Sequence, residues 1–155
     1  MARYIYQVLS YILCVIVIVM ISQCEKSTLT ENDVLYELRI NKQKWVDRNS
    51  GSYEFDESIN CFCLVGSGNP YHIVVSDNKI VSVKNNKGEA VEIGPEHKTI
   101  SQFFDSVESS LKRNPATKTI IYDEVNGFPK EAYFDYSLQM ADEENGFEIE
   151  NFVKK

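Results

Sequence analysis

Four cysteines, two histidines and a scatter of carboxylates are the side chains in this 155-residue sequence whose types and spacing could do chemistry. Cys61-Phe62-Cys63 is the first set. In an extended strand, Cα atoms two residues apart lie about 6.6–6.8 Å from each other. That is near the upper limit of about 6.8 Å for a disulfide. A bond between Cys61 and Cys63 would therefore need a kink at Phe62, and strain would make it more reducible. Three states stay open for the pair: a local disulfide, a redox or metal site, and free buried thiols. Reactive thiols want an electropositive, accessible setting, and no basic residue lies within five positions of either cysteine. A metal needs more ligands than one Cys-x-Cys supplies. His72 follows the cysteines across a turn and would complete a Cys2His set only if a hairpin brought it back. The reading favoured for His72 is an ordinary strand residue, and for His97 a loop residue near a helix start. No metal site and no cofactor are expected.

Other catalytic patterns are missing from the sequence. It has no Gly-x-Ser-x-Gly elbow, and Gly66-Ser67-Gly68 lacks the Lys-Ser/Thr that completes a phosphate loop. Asp123 and Asp135 flank a hairpin and could be set against each other as a carboxylate pair. The simpler reading has Asp123 organising the turn and Gly127-Phe128-Pro129 setting its backbone. No catalytic residue is assigned, and the chain is not expected to be an enzyme. Tyr122, Tyr133 and Tyr136 fall on adjacent predicted strands. Any of them exposed on a sheet face would make a binding surface.

The N-terminal segment comes from a different kind of chemistry. Arg3 is followed by an apolar run from Tyr11 to Ile21, which suits the hydrophobic region of a targeting peptide. It is shorter than the roughly 20 apolar residues of a spanning helix. The run ends Ile21-Ser22-Gln23-Cys24, which resembles a bacterial lipobox. The resemblance implies that Cys24 is acylated (palmitate among its lipids) and becomes the mature N-terminus. Gln23 departs from the pattern, where Gly or Ala is usual. The alternative is an uncleaved anchor with Cys24 beside the membrane. The expected organisation is residues 1–23 as signal peptide or anchor, 24–29 as a tether, and 30–155 as one domain exported to the bacterial cell envelope.

The elements that position these residues are read from periodicity. A helix starts at Thr30 and ends before Gly51, with Val34, Leu35, Leu38 and Trp45 on its apolar side. Tyr53 and Phe55 begin a strand, expected to break at Asp56–Asn60 and resume at Cys61–Leu64. Tyr71–Ser76 and Ile80–Lys84 flank a short turn, and a small strand is expected at Ala90–Ile93. Ile100, Phe103, Phe104, Val107 and Leu111 mark a second helix, with Thr99 or Ser101 as its cap and Asn114-Pro115 as its stop. Thr117–Glu124 and Lys130–Tyr136 form a second hairpin, and Phe147, Ile149 and Phe152 a last strand. The fold class is α+β, with two helices packed on one face of an antiparallel sheet. The order α-βββ-α-βββ invites a reading as an internal pseudo-repeat.

Composition fits such a domain: 43% hydrophobic, 12% aromatic and 25% charged. The formal net charge is -7. Removing the residues before Cys24 takes one basic residue, Arg3, and no acidic one. That leaves 15 basic against 23 acidic residues, or -8. Such a balance argues against nucleic acid and against peripheral binding to anionic lipid.

Trp45, Tyr53-Glu54-Phe55, Cys61-Phe62-Cys63, Val74-Val75 with Val81, Phe103-Phe104, Ile121-Tyr122-Asp123, Gly127-Phe128-Pro129 and Asp135 together resemble a family of uncharacterised bacterial secreted or lipid-anchored domains of unknown function. The resemblance spans most of the chain after Thr30. It implies an exported envelope domain with an N-terminal signal and no catalytic activity. The leading expectation is a non-enzymatic module, tethered to the membrane, that binds an envelope protein or peptide through its sheet face or edge. The alternative is a thiol-redox or metal-handling envelope protein using Cys61 and Cys63.

Overall fold

The computed structural model describes residues 31–61, 70–140 and 143–155, and only the backbone at Glu31 and Cys61. Helix α1 spans Glu31–Arg48 and α2 spans Ile100–Lys112. The strands are β1 (Tyr53–Cys61), β2 (Tyr71–Ser76), β3 (Lys79–Lys84), β4 (Thr117–Tyr122), β5 (Pro129–Asp135) and β6 (Asn145–Lys154). They form one antiparallel sheet in the order β3-β2-β1-β6-β5-β4. The class and the α-βββ-α-βββ order are those expected. The two halves do not sit alike in the sheet, since the first half places its first strand at the centre and the second half its last. Among the described residues, no helix is long and apolar enough to cross a membrane.

Two strand expectations need correction. β1 does not break at Asp56–Asn60 but runs unbroken through it. Its backbone is paired on both sides, to β2 and to β6. Its polar residues alternate, so Asp56 and Ser58 face away from the helices while Tyr53, Phe55 and Glu57 are buried. Ala90–Ile93 is not a strand: a single bridge joins Ala90 to Lys84, and Val91 N donates to Val83 O at 3.0 Å.

Local chemistry fixes the connections. Asp77 and Asn78 both have positive φ (50° and 61°), as a two-residue hairpin turn of the right hand requires. Thr99 caps α2: its hydroxyl accepts from Gln102 N, and Gln102 Oε1 accepts from Thr99 N at 2.8 Å. Asn114, with φ 53°, turns the chain out of the helix before Pro115. Asp123 Oδ1 accepts from the backbone N–H of Val125 and Asn126 (3.2 and 2.6 Å), so it organises its turn as expected. That turn is held on α1, where Arg48 Nη1 donates to Val125 O at 2.6 Å and Lys44 Nζ to Glu124 O at 3.2 Å.

One core lies between the helices and the sheet. Trp45 of α1 meets Tyr53, Phe128 and Phe152 edge-on, with ring centroids 5.2–6.0 Å apart. Such T-shaped contacts add to simple area burial. Ile100, Phe103, Phe104, Val107 and Leu111 bury the apolar stripe of α2. Tyr53 Oη reaches across the core and accepts from Ile100 N at 3.1 Å. Burial pushes the Tyr53 phenol up to about 12.

Candidate functional site

The sheet has an open face away from the helices, and its chemistry is acidic. Cross-strand register places Asp56 opposite Glu150 and Glu131 opposite Glu148. Like charges directly opposite each other are unfavourable, so this face carries a standing repulsion. Part of it is answered locally. His72 Nδ1 lies 2.8 Å from Asp56 Oδ1, and Asn151 Nδ2 donates to Asp56 Oδ2 at 2.7 Å. Lys155 Nζ lies 2.5 Å from Glu54 Oε2, and this hydrogen bond holds the Glu54 carboxyl below its ordinary range. His72 is thus an open-face residue bound to a carboxylate. Among the described residues, no group of three His, Cys, Asp or Glu side chains is placed to hold a metal ion.

The two sheet edges differ. Outside β3 the chain folds back, with Ala90 and Val91 bonded to Lys84 and Val83. Outside β4 no backbone partner is present among the described residues. β4 reads Thr-Lys-Thr-Ile-Ile-Tyr, rich in β-branched residues that suit strand pairing. Ile121 on this edge is 45% exposed, and Tyr133 on neighbouring β5 is 38% exposed.

The three tyrosines fall on two sides of the sheet. Tyr133 stands on the open face, opposite Thr119 and Gly146. Tyr122 packs toward the helices, stacked on Phe104 with centroids 6.5 Å apart; burial pushes its phenol up. Tyr136 lies under the Arg113 guanidinium, 3.8 Å from its ring centroid. The hydroxyls of Tyr122 and Tyr136 are buried without a hydrogen-bond partner. Of the three, Tyr133 is exposed, while Tyr122 and Tyr136 are half-buried. Asp123 and Asp135 lie toward opposite ends of the β4–β5 hairpin, too far apart to act as a pair. Cys61 ends β1 opposite Asn145, while Cys24 and Cys63 lie outside the described residues.

Sequence reasoning did not find the most unusual polar contact. Glu57, fully buried, places Oε2 3.1 Å from His97 Nδ1, whose ring is 1% exposed. Burial, partly offset by the hydrogen bond to His97, pushes the Glu57 carboxyl up to about 7. Its second oxygen, Oε1, has no partner. Tyr71 meets the His97 ring edge-on at 4.9 Å. The available signal was the alternation Tyr53, Phe55, Glu57, which points Glu57 inward once β1 is taken as continuous. Glu57 borders a groove of about 590 Å³ that runs along α2, lined there by Lys98, Gln102, Ser106, Ser109 and Arg113 and floored by Phe103, Phe134 and Phe147.

These features define an α+β domain of two helices on a six-stranded antiparallel sheet, with an acidic open face and, among the described residues, no partner outside β4. A family model, Family of unknown function (DUF6174), matches residues 37–154, which takes in all six strands and α2. The chain belongs to that family, an uncharacterised domain as the sequence resemblance implied. No curated protein and no solved structure matches it.

Proposed function

We propose that the protein is a lipid-anchored, non-enzymatic domain of the bacterial cell envelope that binds an extended segment of another envelope protein by strand addition at β4. The bare outer edge of β4 carries this reading, because unpaired N–H and C=O groups along a β-branched strand are a template for a further strand. Charge narrows the partner. The open face next to β4 bears the opposed Glu131–Glu148 pair, so a segment with Lys or Arg facing that side relieves repulsion. Ile121 and Tyr133 offer it apolar contacts. Lys118, the second residue of β4, disfavours pairing of two identical edges, a common safeguard on exposed strands.

A photo-crosslinking residue placed at Thr119, compared with one at Lys84 on the covered end of β3, tests the edge in intact cells. The expected result is a discrete envelope-protein adduct at position 119 and none at 84; identical adducts, or none, would refute it. Attachment through Cys24 rests on the lipobox-like Ile21-Ser22-Gln23-Cys24. Labelling with radioactive palmitate should mark the chain and be lost in Cys24→Ser. The rival reading uses Cys61 and Cys63 for thiol-redox or metal work. Under the edge reading, Cys61→Ser/Cys63→Ser leaves the position-119 adduct intact; under the thiol reading it abolishes function without touching the edge.

A further inference from the structure

The chain from Val91 to Thr99 is fastened at its two ends and at one point between. Val91 N donates to Val83 O at one end, and Thr99 caps α2 at the other. Of residues 92–98, only His97 is buried. Its hold consists of the Glu57 contact, the edge contact with Tyr71, and its own N–H bond to Gly94 O at 3.3 Å. Helix α2 does not depend on this contact, since its start is secured by the Thr99–Gln102 capping box and by Tyr53.

A carboxyl and an imidazole that share one proton bury no net charge, and a neutral carboxyl tolerates an unpartnered oxygen better than a carboxylate does. Removing that proton leaves an ionised carboxylate in the interior. His97 can still donate to Oε2, but Oε1 has no donor. The surrounding charges pull in opposite directions, Lys98 favouring the ionised Glu57 and Glu96 disfavouring it, and burial outweighs both. Glu96 Oε1 lies 3.8 Å from His97 Nε2 and adds a like charge. The Lys98 ammonium is turned to Glu96 O at 3.3 Å and sits 5.9 Å from the Phe103 ring. The Tyr71 ring offers His97 only its edge.

We propose that the Glu57–His97 pair is a proton-operated latch on the α2 groove. With one shared proton it holds residues 94–98 against the sheet. Loss of that proton to solvent releases the segment, and with it Pro95 and Lys98 on the groove's rim, while α2 stays capped. The groove therefore widens on the alkaline side of neutrality. The rise of the Glu57 carboxyl to about 7 places the change within reach of ordinary buffers.

Hydrogen exchange by mass spectrometry on the full-length chain in mild detergent, at pH 6.0 and 8.5 and corrected for intrinsic rates, tests the latch. Peptides covering 92–99 should exchange at least tenfold faster at pH 8.5, with peptides covering 103–112 unchanged within twofold. Glu57→Gln has no proton to lose and should abolish the difference. If that variant does not fold, the apolar pair Glu57→Leu/His97→Phe should hold the segment equally at both pH values. Unchanged exchange of 92–99 in the wild type, an equal pH response in a folded variant, or α2 loosening together with the segment would each overturn the proposal.

Discussion

The stability of this domain should depend on pH in a way that one substitution removes. Glu57 is fully buried, and its carboxyl is raised from 4.5 to about 7. The folded state therefore holds the Glu57 proton more tightly than the unfolded chain does. A raised carboxyl contributes stability that is complete below the unfolded value and is lost as pH climbs through the folded one. A rise from 4.5 to about 7 corresponds to roughly 3 kcal/mol, at 1.36 kcal/mol for each factor of ten in proton affinity. Glu57→Gln keeps the shape and removes the proton. Its stability relative to wild type should thus rise by about 3 kcal/mol between pH 4.5 and 7.5 and level off outside that window. Release of residues 94–98 would relieve part of the strain in the wild type, so about 3 kcal/mol is an upper figure. Urea unfolding of a chain beginning at Glu31 reads this directly through Trp45, the only tryptophan, buried against Tyr53. A difference between the two proteins that stays constant across pH, or that moves in the opposite direction, would refute the reasoning.

Three further outcomes follow from the packing and the caps. Trp45→Ala leaves a cavity facing Tyr53, Phe128 and Phe152, and urea titration should show a loss of about 3–5 kcal/mol. Gly127→Ala combines a left-handed backbone (φ 81°) with a Cβ that would meet Asn41 O at 2.7 Å; the midpoint of thermal unfolding should fall by an amount equivalent to at least about 1–2 kcal/mol. Thr99→Ala removes the α2 cap and should cost about 1 kcal/mol, measured by the same titration.

Much of this fold was legible because its apolar residues keep strict periods. The α2 stripe at 100, 103, 104, 107 and 111 is buried in full. Asp77-Asn78 and Asn126-Gly127 declared their turns through residues that tolerate positive φ. The errors have specific causes. Asp56, Glu57, Ser58 and Asn60 look like a loop when strand propensity alone is weighed, yet two-sided pairing overrides propensity in a central strand. Val91 and Ile93 look like a strand, but only Val91 reaches β3, and Ile93 is 49% exposed. Adjacent predicted strands suggest one patch of Tyr122, Tyr133 and Tyr136, but Tyr136 falls just beyond the end of β5. Alternation along β4 puts Tyr122 on the same inward side as Ile120, against the core and Phe104, while Tyr133, beside the buried Ala132 and Phe134, points outward.

The Glu57–His97 pair escaped for a deeper reason. Its partners are 40 positions apart, and neither residue is unusual in its own neighbourhood: Glu57 sits in an acidic run, His97 in a polar loop. The contact exists because β1 is a central strand and the loop before α2 packs His97 against its middle residue, Glu57. A buried carboxyl on a strand that also carries Tyr53 and Phe55 costs stability that a leucine there would not. The fold accepts that cost at the one place where a loop otherwise without buried side chains is fastened to the core. Placing an ionisable pair rather than an apolar one at a single fastening point makes the attachment conditional on a proton, and the pH dependence of the segment it holds is the property that separates a latch from a merely tolerated defect.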